Sequence, residues 1–274
     1  MTAGSDSTHS AKDHQDPGMI PSFMVWSTPD ELAREGAILF RELLKKDVLS
    51  RNTSAVVLSG GNSPRGLFGE MGKLLSVGCE DWIGKVEWFE GDERMVPPTH
   101  PRSNFRMIRE TLLDPLGISP HRIHRIMGEA SVISEEALRY AHEIMQVMGA
   151  PGPHLPVMDY VFLGIGPDGH TASLFPGTFP ELEHHQLVVS APATNEREAR
   201  ISMGYHLLAH ARHLIFLVMG EEKRTVLDDI LLRMKPSPVQ ELLLLRAELG
   251  QAATFWVDRS ALSENLARVV KLMS

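Results

Sequence analysis

Apolar residues occur in short continuous runs that alternate along the chain with longer segments of helical periodicity. Such runs are typical of strands that are buried on both faces of a sheet. We predict strands at residues 54 to 58, 85 to 90, 159 to 165, 187 to 190, 213 to 218 and 253 to 257. Helices are predicted at residues 29 to 48, 64 to 76, 103 to 113, 134 to 149, 220 to 233 and 237 to 247.

The first predicted helix carries a complete start signal. Thr28 stands at the N-cap position, Pro29 at the first helical position and Glu31 at the acidic position of a capping box. These residue types satisfy backbone N–H groups that have no partner within the helix. The helix is therefore expected to begin at residue 29.

Regular alternation of strand and helix predicts repeated crossover units, and hence an α/β fold. The expected architecture is a mostly parallel, doubly wound sheet with helices on both faces. We assign residues 24 to 274 to a single domain, because no linker or repeat interrupts them. Residues 1 to 23 are polar and are predicted to form a disordered tail.

Composition narrows the class of protein. The 274 residues are 43% hydrophobic and carry a net charge of −8, which favours a soluble protein that acts on small molecules over one that binds nucleic acid or acidic membranes. No stretch approaches the roughly 18 apolar residues needed to span a bilayer, and no secretory signal is present. The single cysteine, Cys79, excludes an internal disulfide framework. We expect a cytoplasmic protein.

The segment DYVFLGIGPDGHTASLFPGT at residues 159 to 178 is the strongest candidate for chemistry. A buried strand ends there in a glycine-rich turn that carries Asp168 and His170. Ligands of open α/β sheets bind at the carboxyl ends of strands, and histidine titrates near neutral pH. His170 is therefore a candidate catalytic base; the alternative is a loop histidine with a structural hydrogen bond.

A second candidate is the turn SGGNSPRG at residues 59 to 66, between a strand and a helix. Glycines before a helix start let backbone N–H groups approach an anion, and nearby polar side chains add donors. A phosphate site is predicted at Gly60, Gly61, Asn62 and Ser63. The alternative is a plain tight turn with a capped helix. The turn matches neither a Walker loop nor a dinucleotide motif.

Two further segments place charged residues beside strand ends. Asp92 and Arg94 follow a strand in EWFEGDERMVPP, where they form either a site or a salt-bridged loop. Arg200 precedes the apolar residues of RISM, and Lys223 lies in the first turn of the helix after VMG. A cation is disfavoured at a helix N-terminus, so a bound anion would account for Lys223. The alternative for both is an ordinary surface cation.

Together these motifs, in this order, resemble the 6-phosphogluconolactonase family, and the resemblance covers roughly residues 24 to 265. Its most specific parts are GDERMVP and GPDGHTASLFPG. The resemblance implies a Rossmann-like fold of the sugar-phosphate isomerase type. The wider relatives include glucosamine-6-phosphate deaminases, expected to read DEY and DGHIAFNEP where this chain reads DER and DGHTASLFP. This chain matches the lactonase pattern at both places.

The resemblance implies a carboxylic ester hydrolase that opens 6-phosphoglucono-δ-lactone in the oxidative pentose phosphate pathway, without metal or other cofactor. His170 would activate water, and Asp168 would orient it or bind a sugar hydroxyl. Arg94 or backbone N–H groups would stabilise the oxyanion. The phosphate would sit on residues 60 to 63, clamped by Arg200 and Lys223, while Asp92 organises the site.

Two other functions stay open from the sequence. One is a glucosamine-6-phosphate deaminase or isomerase that uses Asp92 as the base. The other is a non-catalytic sugar-phosphate sensor, although the 23 residues before the fold are too short and polar for the usual DNA-binding segment. The expected partner is a small sugar-phosphate lactone, with no nucleic acid and no membrane, and the chain is expected to be a monomer.

Overall fold

A computed structural model describes residues 21–76, 81–149, 155–177, 186–195 and 197–273. Ten strands lie in these ranges: β1 Ser22–Trp26, β2 Ser54–Leu58, β3 Val86–Glu90, β4 Asp92–Arg94, β5 Ile123–His124, β6 Tyr160–Leu163, β7 Val188–Ala191, β8 Arg200–Met203, β9 His213–Val218 and β10 Thr254–Asp258. The α-helices there are α1 Pro29–Arg51, α2 Asn62–Ser76, α3 Asn104–Ile108, α4 Ile133–Met148, α5 Tyr205–Ala209, α6 Arg224–Leu231, α7 Pro238–Glu248 and α8 Glu264–Met273. A π-helical segment, Arg109–Leu113, continues α3.

Seven of the strands form one sheet in the order β1-β10-β9-β6-β2-β3-β5. Every pairing in this sheet is parallel. The chain builds outward from β2 towards β5 and then returns to add β6 on the opposite side of β2. This reversal places a crevice beyond the carboxyl ends of β2 and β6. The predicted doubly wound α/β sheet is confirmed.

Helices cover both faces of the sheet because successive strand residues point to opposite sides. On one face Val57 and Val161 pack with Tyr140 of α4. On the other face Val56 packs with residues of α1 and α2, including Phe40. Phe40 is fully buried, and burying such a ring contributes about 2 kcal/mol of transfer free energy. The central strands are therefore apolar on both sides, as their continuous runs predict.

Helix α1 begins as its start signal predicts. The Thr28 side chain accepts a hydrogen bond from the Glu31 amide at 3.1 Å, and Glu31 Oε2 accepts one from the Ser27 amide at 2.7 Å. The helix runs three residues past the predicted end and stops at Asn52, whose φ of 64° is left-handed. Asparagine tolerates this conformation better than most residues.

The structure contains a second sheet that the sequence does not predict. It has the antiparallel order β4-β8-β7 and lies apart from the main sheet in its hydrogen bonding. The apolar run at residues 187 to 190 is indeed extended, but the prediction that it joins the large sheet is wrong. Its partner β8 supplies the pairing instead, with Arg200 opposite Ala191.

The first strand and the segment after β9 also differ from prediction. Strand β1 starts at Ser22, so ordered structure begins inside the segment predicted as a tail, whose residues 1–20 lie outside the described part of the chain. After β9 the predicted helix from 220 to 233 starts with a 3-10 turn, Glu221–Lys223, and only then becomes α6. None of the described helices is long and apolar enough to cross a membrane.

Candidate active site

A cavity of about 250 Å³ opens at the carboxyl edge of the main sheet. The loops after β2, β6 and β9 contribute to its wall, together with β4 and β8 of the small sheet. The structure brings together here all the residues singled out in the sequence except Asp168, which contacts the cavity residue His170. The wall consists of Ser59, Gly60, Gly61, Asn62, Ser63, Pro64, Asp92, Arg94, Asn104, Gly164, Ile165, Gly166, His170, Ala172, Arg200, Glu222 and Lys223.

The turn after β2 presents the start of helix α2 to the cavity. Gly61 has a φ of +109°, a conformation that residues with a side chain rarely adopt. A Cβ atom at Gly60 would lie 1.8 Å from Asn104 Oδ1, so only glycine fits against that amide. Helix α2 begins at Asn62, two residues earlier than predicted. Its first N–H groups, which lack partners within the helix, therefore lie at the cavity wall and suit an anion.

Strand β4 carries one buried carboxylate into the site and another into the scaffold. Asp92 is buried, and its Oδ2 accepts a hydrogen bond from Ser173 Oγ at 2.7 Å. Glu93 points away from the cavity wall and accepts hydrogen bonds from the amides of Asn104 and Phe105 at the start of α3. Of the two acids, Asp92 belongs to the cavity, whereas Glu93 caps a helix.

Arg94 and Arg200 face each other across the small sheet as directly paired residues of β4 and β8. Like charges at such positions are destabilising unless something neutralises them. Nε of each guanidinium is buried without a hydrogen-bond partner in the described structure. Burial, followed by the charge of Arg94, lowers the pKa of Arg200 from its ordinary value. Asp92 and Glu198 compensate the two positive charges only in part, and the paired guanidinium groups therefore indicate a place for an anion.

His170 and Asp168 form a hydrogen-bonded pair in the turn after β6. Nδ1 of His170 lies 2.5 Å from Asp168 Oδ1, and the His170 amide donates to the same oxygen at 3.1 Å. Burial raises the pKa of Asp168, but the hydrogen bonds from His170 outweigh it and hold the pKa below the ordinary value. The Phe175 ring packs beside the imidazole, with ring centroids 4.8 Å apart. The imidazole is thus oriented from two sides.

Lys223 reaches from the segment after β9 towards β6. Its Nζ donates a hydrogen bond to the Ile165 carbonyl at 2.9 Å. The lysine sits in the 3-10 turn that precedes α6 rather than in the first turn of an α-helix, which corrects the predicted position. It lines the cavity in either case.

Besides Ser59, two cavity residues, Asn104 and Glu222, have polar side chains that sequence reasoning did not assign to the site. Asn104 follows Ser103, which caps α3 with its hydroxyl accepting from the Arg106 amide at 3.0 Å, and the Asn104 side chain lies against the glycine turn. Glu222 stands next to Lys223 in a charged run that resembles any surface turn. Only the close fit of Asn104 against Gly60, which is a feature of three-dimensional packing, identifies Asn104 as a cavity residue.

No group of three or more His, Cys, Asp or Glu side chains within the described ranges is arranged to bind a metal ion. Cys79 lies outside the described residues. The cavity side chains are instead those that bind anions and move protons.

Comparison with known proteins places this chain in a family. The model described as "Glucosamine-6-phosphate isomerases/6-phosphogluconolactonase" matches residues 27–254. A protein of Synechocystis sp. (strain PCC 6803) named 6-phosphogluconolactonase is 32% identical over 248 residues, which are 90% of this chain and 99% of that protein. A protein of the same name from Haemophilus influenzae is 36% identical over 175 residues, 64% of this chain and 72% of that protein.

Solved structures agree with this result. The 6-phosphogluconolactonase from Trypanosoma cruzi has a TM-score of 0.76 and 25% identity, and the match covers 88% of this chain and 95% of that one. A monomeric glucosamine-6-phosphate deaminase has a TM-score of 0.69 at 19% identity, covering 88% and 98% of the two chains, which shows the shared fold alone. The family model spans most of the sequence, and the chain belongs to the glucosamine-6-phosphate isomerase/6-phosphogluconolactonase family.

Proposed function

We propose that this protein is a 6-phosphogluconolactonase, which hydrolyses 6-phosphoglucono-δ-lactone to 6-phosphogluconate in the pentose phosphate pathway. The observation that carries the proposal is the His170–Asp168 pair beside a cavity that holds two paired arginines, each with a buried Nε that has no hydrogen-bond partner among the described residues. A base next to an anion site suits a phosphorylated substrate attacked by water. The relatives that share this name along most of their length support the same reaction.

The phosphate is assigned to the start of α2 and its cationic neighbours. Backbone N–H groups of residues 60 to 63 supply hydrogen bonds, and Asn62 and Ser63 add side-chain donors. Arg200 and Lys223 supply charge from the other walls of the cavity. A dianion here would offset the repulsion between Arg94 and Arg200.

His170 is proposed as the base that activates water. Because Asp168 accepts from Nδ1, the neutral ring keeps its proton on Nδ1 and offers the lone pair of Nε2. Nε2 takes a proton from water while the water oxygen bonds to the lactone carbonyl carbon. The resulting imidazolium then donates that proton to the ring oxygen of the lactone, as the bond between this oxygen and the carbonyl carbon breaks. Such base catalysis contributes roughly 10² to 10⁴ in rate.

The oxyanion that forms during attack needs a donor. Arg94 and the backbone N–H groups of the glycine-rich turns are the two candidates, and one well-placed donor is worth about 3 kcal/mol. Asp92 is assigned a supporting role, because its carboxylate is buried and engaged by Ser173. Water is the only co-substrate in this scheme, so no cofactor is required, and one chain supplies every group, so a monomer suffices.

A coupled assay tests the proposal. The lactone is generated in situ, and 6-phosphogluconate is followed with its dehydrogenase against the spontaneous hydrolysis rate. We expect the wild type to accelerate hydrolysis and His170→Ala to lose at least 100-fold of that acceleration. His121→Ala is the matched control, because His121 is exposed and lies outside the cavity wall.

Absence of acceleration by folded wild-type protein would contradict the lactonase proposal. Ammonia release from glucosamine 6-phosphate would then identify the deaminase reaction. A His170→Ala variant as active as the wild type would leave the reaction assigned but remove His170 as its base.

A further inference from the structure

Two adjacent glutamates after β9 have different surroundings. Glu221 accepts a hydrogen bond from Arg224 Nη1 at 2.6 Å and does not line the cavity. Glu222 lines the cavity, and its carboxylate has no hydrogen-bond or ion-pair partner among the described residues. Its neighbour Lys223 does not pair with it, since Nζ donates to the Ile165 carbonyl. A charged acceptor is thus left available at the wall of a site whose other charged side chains are mostly cationic.

The Glu222 carboxylate is folded back over Gly220. A Cβ atom at Gly220 would lie 2.3 Å from Glu222 Oε2, and the φ of +98° at this residue also favours glycine. The Gly220 amide donates to Asp258 Oδ1 at 2.8 Å, which fixes the backbone under the carboxylate. Glu222 therefore lies against a defined turn, although its side chain faces solvent.

The position of Glu222 in the sheet separates it from the proposed phosphate site. Glu222 follows β9, and residues 60 to 63 follow β2, with β6 between these two strands. Two strand spacings amount to roughly 10 Å. The Glu222 carboxylate lies back over Gly220, on its own side of the cavity, whereas the neighbouring Lys223 extends towards β6. With the phosphate on residues 60 to 63, the uncharged portion of the ligand is left to face Glu222.

We propose that Glu222 is a specificity-determining residue that accepts hydrogen bonds from ring hydroxyls of the bound sugar phosphate. The inference rests on the proposed function and names a contact for the sugar ring rather than for the phosphate or the reacting carbonyl. Hydroxyl groups donate strong, charge-assisted hydrogen bonds to a carboxylate. With the phosphate held at one side and the hydroxyls at the other, the sugar ring is held in one orientation next to His170.

Kinetics with paired variants and substrates test this contact. Glu222→Ala should lower kcat/KM for 6-phosphogluconolactone about 10- to 100-fold, the range for a hydrogen bond to a charged group. Glu221→Ala should stay within about two-fold of the wild type, since Glu221 lies outside the cavity wall. For the deoxy-lactone that lacks the accepted hydroxyl, Glu222→Ala should show no loss of kcat/KM relative to the wild type.

Simple charge removal predicts the opposite sign. If Glu222 made no hydroxyl contact, its replacement would relieve repulsion of an anionic substrate, and kcat/KM would rise or stay constant. That result would overturn the inference, as would an equal loss by Glu222→Ala on the 2-, 3- and 4-deoxy-lactones. Either outcome leaves wild-type acceleration, and hence the proposed function, intact.

Calorimetry separates the inference from catalysis altogether. Glu222→Ala should weaken binding of 6-phosphogluconate about ten-fold or more and leave binding of inorganic phosphate unchanged or slightly tighter. This measurement stands even if the wild type hydrolyses no lactone. Equal affinity of wild type and Glu222→Ala for the sugar phosphate would overturn the proposed contact.

Discussion

At the scale of single residues, the absence of a side chain at position 166 determines where His170 can lie. A Cβ atom there would be 2.0 Å from His170 Cε1 and 2.1 Å from Nδ1. Atoms at such distances overlap, so the imidazole would have to leave its place beside Asp168. Residue 166 thus contributes to the site through the space it leaves empty.

Gly166→Ala is expected to lower lactonase kcat/KM by about 100-fold, because the displaced imidazole loses its hydrogen bond to Asp168 and its aim at the substrate. The coupled assay measures the effect. Gly69→Ala is the matched control: it makes the same chemical change within α2, where an added Cβ meets no atom within 4 Å. Full activity of Gly166→Ala would show that the site tolerates a moved imidazole.

The candidate residues that sequence alone identified are those with a local signal. His170 and Asp168 stand in a glycine-rich turn after a buried run, and residues 60 to 63 link a strand to a helix. Asn104 and Glu222 have no such signal, since a helix cap and a charged turn occur on any surface. Their place in the cavity depends on packing between segments far apart in sequence. The roles proposed for all these residues stay predictions.

At the scale of elements, a buried histidine joins β3, β5 and α4. His124 Nδ1 lies 2.9 Å from Glu143 Oε1, and Nε2 lies 2.9 Å from Glu87 Oε2. The ring also stacks on Phe89, with centroids 4.5 Å apart. An imidazole between two carboxylates donates from both nitrogens only when it is protonated. This pairing links an edge strand to the helix that crosses over it.

Stability should depend on pH through His124. Burial lowers the pKa of His124, but the hydrogen bonds with Glu143 and Glu87 outweigh it and raise the pKa above the unfolded value of 6.5. The imidazolium therefore contributes stability that is fully present below pH 6.5 and is lost as pH rises through the folded-state pKa. We expect His124→Gln to lower the free energy of unfolding by about 3 kcal/mol at pH 6, and by less as pH increases.

Urea unfolding of both proteins between pH 6 and 9 measures this difference, the range being set by the roughly 6.5 of an unperturbed histidine. His142→Gln is the control, because His142 is exposed on the same helix and should change stability by less than about 0.5 kcal/mol at each pH. A difference between wild type and His124→Gln that grows with pH would contradict the assigned charge state.

Elements with continuous apolar runs were predictable, whereas those of the small sheet were not. Strands β2 and β9 match their predicted bounds because burial on both faces favours an unbroken apolar run, which is residues 55 to 58 in β2 and residues 214 to 218 in β9. Strand β4 is the polar tripeptide Asp92–Arg94, which no strand pattern describes. It is extended because β8 pairs with it at long range, and this pairing brings Arg94 to Arg200. Strand β4, which the sequence pattern does not predict, therefore carries cavity residues.

At the scale of the whole molecule, the cavity gathers cations in a chain with a net charge of −8. Arg94, Arg200 and Lys223 all line it. Because Arg94 and Arg200 repel each other only in the folded state, an anion between them stabilises that state over the unfolded one. Ligand binding should thus be visible as thermal stability without any assay of turnover.

Inorganic phosphate at about 100 times its dissociation constant should add about 2.7 kcal/mol and raise the melting temperature by roughly 5 °C. Arg200→Gln should abolish most of this shift. Arg102→Gln should retain it, because Arg102 pairs with Glu198 and lies outside the cavity wall. Differential scanning calorimetry, with chloride at matched ionic strength as the reference, measures the shift. An equal rise in the Arg200→Gln protein would place the anion elsewhere.

The pairing of β1 with β10 also affects how the chain folds during its synthesis. Ser22 Oγ lies 2.9 Å from Thr254 Oγ1, although 232 residues separate the two in sequence. During translation at about 5 to 20 residues per second, β1 would leave the ribosome roughly 10 to 50 s before its partner. Throughout that interval Phe23, which stacks on Phe255 in the finished protein, has no ring to cover it. The nascent protein therefore keeps one edge of its sheet unfinished until synthesis is nearly complete, and chaperones that shield apolar segments have their longest opportunity there.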